Sequence, residues 1–157
     1  MTAREEAAKS QWCGESEPRP VPSYRGYRYL ADTLASQGRV VVSISANGIN
    51  AQDFFTDYGI FARAKLVRHH LAELKAADAG RVPVLDDLLV GHLDLARTVL
   101  VGHSRGGDAV VRASQELERD ADAPATVVGV VNLAPIASVS AAPANTPTIT
   151  LLPACDG

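Results

Sequence analysis

One stretch of the sequence has the residue types and spacing of a nucleophile: Thr98-Val99-Leu100-Val101-Gly102-His103-Ser104-Arg105-Gly106-Gly107-Asp108. A short apolar run ends in Gly-x-Ser-x-Gly. A helical pattern follows at once, with Ala109, Val110, Ala113 and Leu117 on one face. Strand, glycine-flanked serine and helix in that order fit the pattern of a nucleophile elbow. The sharp turn strains the serine backbone and lifts its Oγ clear of the sheet. A side chain at Gly102 or Gly106 is expected to collide with the neighbouring strand or helix. The helix N-terminus behind Ser104 brings N–H groups and a positive dipole end, which favour a developing oxyanion. The competing reading of Ser104 is a plain helix cap, its hydroxyl spent on the backbone. The paired glycines and the preceding apolar run favour the nucleophile.

The elements that must hold this turn are legible on both sides of it. Tyr27, Leu30, Ala31 and Leu34 repeat as a helix face, and Gly38 ends it. Residues 39–45, Arg-Val-Val-Val-Ser-Ile-Ser, read as a buried parallel-type strand. Residues 46–58 read as a loop. Ile60, Ala64, Val67, Leu71 and Leu74 predict a long second helix, stopped near Gly80. A linking stretch with Pro83 and Gly91 leads to the central strand. After the elbow helix come a strand over 126–133, a Pro/Ala/Ser-rich loop and a strand over 148–152. Strand and helix alternate, which predicts an α/β fold with a parallel sheet, three-layered as α/β/α. Residues 1–22, with Pro18, Pro20 and Pro22, read as an irregular tail before one domain over 23–157.

Composition narrows the function. The chain has 157 residues, 46% hydrophobic and 21% charged, which fits one globular domain. A net charge of −3 leaves no basic footprint for nucleic acid. No apolar run reaches the roughly 18 residues of a membrane helix. No secretory signal is visible at the start, so a cytoplasmic location is the default expectation. Cys13 and Cys155 match neither a disulfide framework nor a metal site. A nucleotide-binding loop is disfavoured, because the glycine spacing around 102–107 fits neither G-x-G-x-x-G nor G-x-x-x-x-G-K-[ST]. No cofactor and no metal are expected.

The other polar residues weigh less. His103 is expected to be structural, packed beside the sheet, because neighbours of an elbow serine point away from it. His69 and His70 fall mid-helix. His92 precedes the central strand, at the end opposite Ser104. No two histidines have i, i+4 ligand spacing. The Arg105 side chain reads as a solvated arginine. Asn47 and Asn50 read as turn asparagines before pocket-lining ones.

Taken together, four segments resemble the α/β-hydrolase superfamily in its bacterial esterase/lipase branch, which includes dienelactone-hydrolase, chlorophyllase and cutinase-like enzymes. They are GYRYLADTLASQGRVVVSIS, LARTVLVGHSRGGDAVVRA, VVNLAPI and TPTITLLPACDG. The resemblance runs from about Tyr24 to the end of the chain. It implies a carboxylic ester hydrolase acting on a small-molecule ester. Ser104 is the implied nucleophile and the Arg105 backbone N–H an implied oxyanion donor. Asp156 is the implied acid of the triad, set against its alternative as a solvated tail residue. Ser23 and Tyr24 fall where the oxyanion loop would feed the first helix. Two departures accompany the match. The family histidine follows the acid, whereas this sequence stops one residue after Asp156. A further strand belongs before Tyr27, where the text reads QWCGESEPRPVPS. The expectation is therefore a partial hydrolase core, cut at both ends, with little or no activity. Marginal stability and self-association through exposed sheet edges are expected with it. A non-catalytic α/β domain binding an acyl ligand or partner chain is the alternative function.

Overall fold

The apolar spacing of Tyr27, Leu30, Ala31 and Leu34 becomes helix α1, Arg28–Ser36, in the computed structural model. The structure describes residues 21–51, 56–85, 87–137 and 145–154. The chain falls into two units, Met1–Gly59 and Ile60–Gly157.

In the first unit a single 3₁₀ turn, Ser23–Arg25, leads into α1. Gly38 stops the helix at φ +77°, a conformation glycine adopts without Cβ strain. Its N–H donates to the Ala35 carbonyl, and the Arg39 N–H reaches back to Leu34. Residues 39–45 are not the buried strand that their composition predicts. They carry no strand pairing, and Val40 and Val42 are 55% and 46% exposed. The reason is physical. Branched side chains suit a pleated sheet, but a strand exists only where a neighbour completes its hydrogen bonds. Among the described residues of this unit there is no other strand. The expected loop after it is partly helical, since Asn47–Ala51 forms a short helix α2. Residues 52–55 of that loop lie outside the described residues.

The second unit opens with helix α3, Ile60–Asp78. Gly80, at φ +70°, ends it, with the Arg81 N–H donating to the Ala76 carbonyl. Short 3₁₀ turns at Pro83–Leu85 and Leu95–Arg97 lead into strand β1, Thr98–His103. Then come helix α4, Arg105–Glu118, and strands β2, Val127–Leu133, and β3, Thr148–Leu151. The strands form a three-stranded sheet in the order β1-β2-β3, with both pairings parallel. Val101 lies beside Val131, and Val131 beside Ile149. The second unit is thus a small α/β fold. The outer edge of β1 is joined by no strand among the described residues.

Alternation along the strands sets what is covered. Leu100, Val127 and Val130 face helix α4 and join Val110, Val111, Ala113 and Leu117 in one core. Ala64 and Leu71 of α3 close that core from beyond α4. Each such Val or Leu stabilises the fold by about 1.5–3 kcal/mol on burial. The other sheet face presents Val99, Val101, Ile149 and Leu151, all exposed. Polar ties complete the packing of α4. Arg68 on α3 pairs with Glu116 at 3.2 Å and with Asp120 at 2.8 Å. Glu116 also holds Arg112, whose guanidinium lies over the Phe61 ring. On another side, Ser114 donates to the Thr146 hydroxyl, which donates to Glu118.

Candidate functional site

Ser104 sits at the junction of β1 and α4 with φ +53° and ψ −127°. A non-glycine residue in that region carries strain of roughly 1–3 kcal/mol and persists only where its surroundings enforce it. Here they do. Its N–H donates to the Leu133 carbonyl at 2.9 Å, and its own carbonyl accepts the Gly107 N–H at 2.8 Å. Ser104 occupies the cap position of α4, yet its side chain makes no capping hydrogen bond. The plain-cap reading is therefore not what the geometry shows. Ser104 as a residue is half-buried, at the C-terminal end of β1.

The glycines divide differently from the expectation. A Cβ at Gly102 would run into the Gly106 carbonyl and approach the Gly107 nitrogen to 2.7 Å. That position tolerates no side chain, as its place under the turn requires. A Cβ at Gly106 would meet nothing within 4 Å, so the expected collision there is corrected. The second tight position is Gly107, whose Cβ would lie 3.1 Å from the Pro135 ring. The Gly106 backbone lies against Gly102 of β1 while its own Cβ direction is open, and the Cβ direction of Gly107 leads to Pro135 after β2.

That segment forms the rim beside Ser104. Ala134 and Ala137 both have positive φ, +44° and +49°. The Ala134 N–H donates to the Leu151 carbonyl at 2.8 Å. The Ile136 N–H donates to the Asp108 carboxylate at 3.1 Å. Asp108 lies in the first turn of α4 and is 5% exposed. Nothing in the spacing around Asp108 marks it in the sequence, since its partner Ile136 lies 28 residues away. Asn132 was also missed. It pairs with Gly102 across the sheet, is buried, and its Oδ1 has no hydrogen-bond partner among the described residues. An amide inside the apolar run Val-Val-Asn-Leu is the signal that could have drawn notice.

The remaining candidates are scattered. Arg105 is half-buried and begins α4 immediately behind Ser104. Asp156 and Cys155 lie outside the described residues, as does Cys13. His103 is exposed, so the expected packing beside the sheet is corrected. Its place in the alternation of β1 puts it on the open face with Val99 and Val101. His69 and His70 lie mid-way along α3, where the His70 ring bonds the Leu66 carbonyl. His92 lies in the turn that precedes β1, where its N–H donates to the Leu89 carbonyl. Ser23 and Tyr24 form the 3₁₀ turn of the first unit, and the Tyr24 carbonyl accepts the Ser43 hydroxyl. Asn47 and Asn50 belong to helix α2 rather than to a turn.

Among the described residues no group of three or more His, Cys, Asp or Glu side chains could hold a metal ion. Among them, too, no helix is long and apolar enough to cross a membrane. No protein-family model, curated protein or solved structure matches the chain.

Proposed function

We propose that the second unit presents Ser104 as a nucleophile toward an acyl carbon, as in a serine carboxylic-ester hydrolase of the α/β-hydrolase type. The observation that carries this reading is the backbone of Ser104. It is strained at φ +53°, pinned by Leu133 and Gly107, and its hydroxyl is not used as a cap. The Gly102 contact supports it, since only glycine lets β1 and α4 approach so closely. In the proposed reaction Ser104 Oγ attacks the carbonyl carbon of a small ester and loses its proton to a base. The Arg105 N–H stabilises the oxyanion. The alcohol leaves, and water then releases the acid. Asp156 is the proposed orienting acid. A second helical layer on the open sheet face belongs to the same proposal. Its support is that parallel sheets are covered on both faces. Self-association through the β1 edge is proposed on the ground that an unpaired edge is a template for another chain.

The histidines set the expected rate. Those at 69, 70 and 92 stand on α3 or before β1, and His103 faces the open side. In another serine hydrolase fold, losing the base costs on the order of 10⁶ in kcat. Turnover of p-nitrophenyl acetate or butyrate by this chain alone is therefore expected near background. The deciding experiment is labelling by a fluorophosphonate probe, with the adduct located by mass spectrometry. Slow labelling at Ser104, absent in Ser104→Ala, supports the reading. A folded protein that takes no label at Ser104 defeats it. Rapid Ser104-dependent ester turnover would instead defeat the assignment of a missing base.

The histidine positions favour one second reading, a non-catalytic domain that binds an acyl ligand or a partner chain. Saturable binding of a fatty acid without labelling at Ser104 would select it.

A further inference from the structure

We infer that Asp108 is a positioning residue for Ser104, acting by clamping the 134–137 rim onto the first turn of α4; this rests on the nucleophile reading above. A carboxylate with 5% exposure is costly to bury unless something on the protein satisfies it. Asp108 has one hydrogen-bond partner among the described residues, the Ile136 N–H at 3.1 Å. That bond ends on a segment whose backbone is held out of its ordinary range at two alanines, Ala134 and Ala137. Alanine gains nothing from positive φ, so the segment needs external ties to stay there. Three ties are present: Asp108 to Ile136, Gly107 against Pro135, and the Ala134 N–H to Leu151. Two of the three come from the first turn of the helix that follows Ser104.

The coupling to Ser104 is direct. The segment begins one residue after Leu133, whose carbonyl accepts the Ser104 N–H at 2.9 Å. Releasing Ile136 lets Ala134 relax toward ordinary φ. The Leu133 carbonyl moves with it, and the hydrogen bond that fixes the Ser104 backbone loosens. Asp108 therefore governs the direction of the Ser104 hydroxyl without touching any substrate.

The test uses the full chain, wild type, Asp108→Ala and Asp108→Asn, with two readouts. The first is hydrogen exchange at the Ile136 amide, which does not depend on Ser104 chemistry. The second is the rate of fluorophosphonate labelling at Ser104. In the wild type the Ile136 amide exchanges slowly. In Asp108→Ala its exchange quickens and labelling slows, each roughly tenfold, the scale of one hydrogen bond to a charged group. Asp108→Asn keeps an acceptor oxygen and restores both. A fast-exchanging Ile136 amide in the wild type overturns the inference. So does unchanged labelling in a folded Asp108→Ala, or a failure of Asp108→Asn to rescue. If Asp108→Ala does not fold, Asp108→Ser replaces it under the same criteria. Wild-type protein that takes no label defeats the nucleophile reading and this inference with it. Normal wild-type labelling that is insensitive to Asp108 defeats this inference alone.

Discussion

The Leu133 carbonyl accepts the Ser104 N–H at 2.9 Å, so the last residue of β2 holds the strained residue that follows β1. The bond turns the corner between strand and helix into part of the sheet. It explains why Ser104 stays at φ +53° although an ordinary residue gains nothing there.

That strain predicts opposite effects from two small substitutions. Ser104→Gly removes the Cβ penalty and should raise stability by about 1 kcal/mol or more. Ser104→Ala keeps the Cβ and should leave stability within about 0.5 kcal/mol of wild type. Urea unfolding midpoints at constant slope measure both. Equal midpoints for the two variants would mean that the backbone at 104 is not strained in solution.

The glycines give a second pair. Gly102→Ala places a methyl against the Gly106–Gly107 backbone and should cost about 3 kcal/mol or more. Gly106→Ala enters open space on a helix and should be neutral or stabilising by about 0.5–1 kcal/mol. Thermal unfolding distinguishes them, and a tolerant Gly102 would contradict the close approach of β1 and α4.

The buried hydroxyl pair between α4 and the approach to β3 should behave as a unit. Thr146→Val leaves the Ser114 hydroxyl, fully buried, without its acceptor and should cost about 1–3 kcal/mol. Adding Ser114→Ala removes the stranded group and should recover part of that loss. A double variant as unstable as the sum of the singles would rule out coupling between the two.

Glu116 links two guanidinium groups, Arg68 from α3 and Arg112 from its own helix. All three side chains are partly solvated, so Glu116→Gln should cost only about 1 kcal/mol. The cost should shrink in 1 M salt, where screening acts over a few ångströms. A loss that is large and unaffected by salt would point to packing rather than charge.

What the amino-acid order determined by itself is local and periodic. The stripes at 27–34 and 60–74 specify α1 and α3, and Gly38 and Gly80 end them, because helix hydrogen bonds close within one segment. The apolar runs before Gly102, at 127–133 and at 148–151 become parallel strands, and Ser104 falls between strand and helix as its flanking glycines imply. Tertiary structure alone decided the rest. Residues 39–45 have strand composition and no strand, because pairing is supplied by a neighbour and not by the segment. Gly102 and Gly107 are crowded while Gly106 is not, because crowding depends on which way α4 turns each Cα toward β1 and Pro135. The bond from Asp108 to Ile136 spans 28 residues, and no spacing rule reaches that far. Side chains that meet only after a sheet has formed leave no periodic trace in the chain, which is why the rim beside Ser104 becomes visible only in three dimensions.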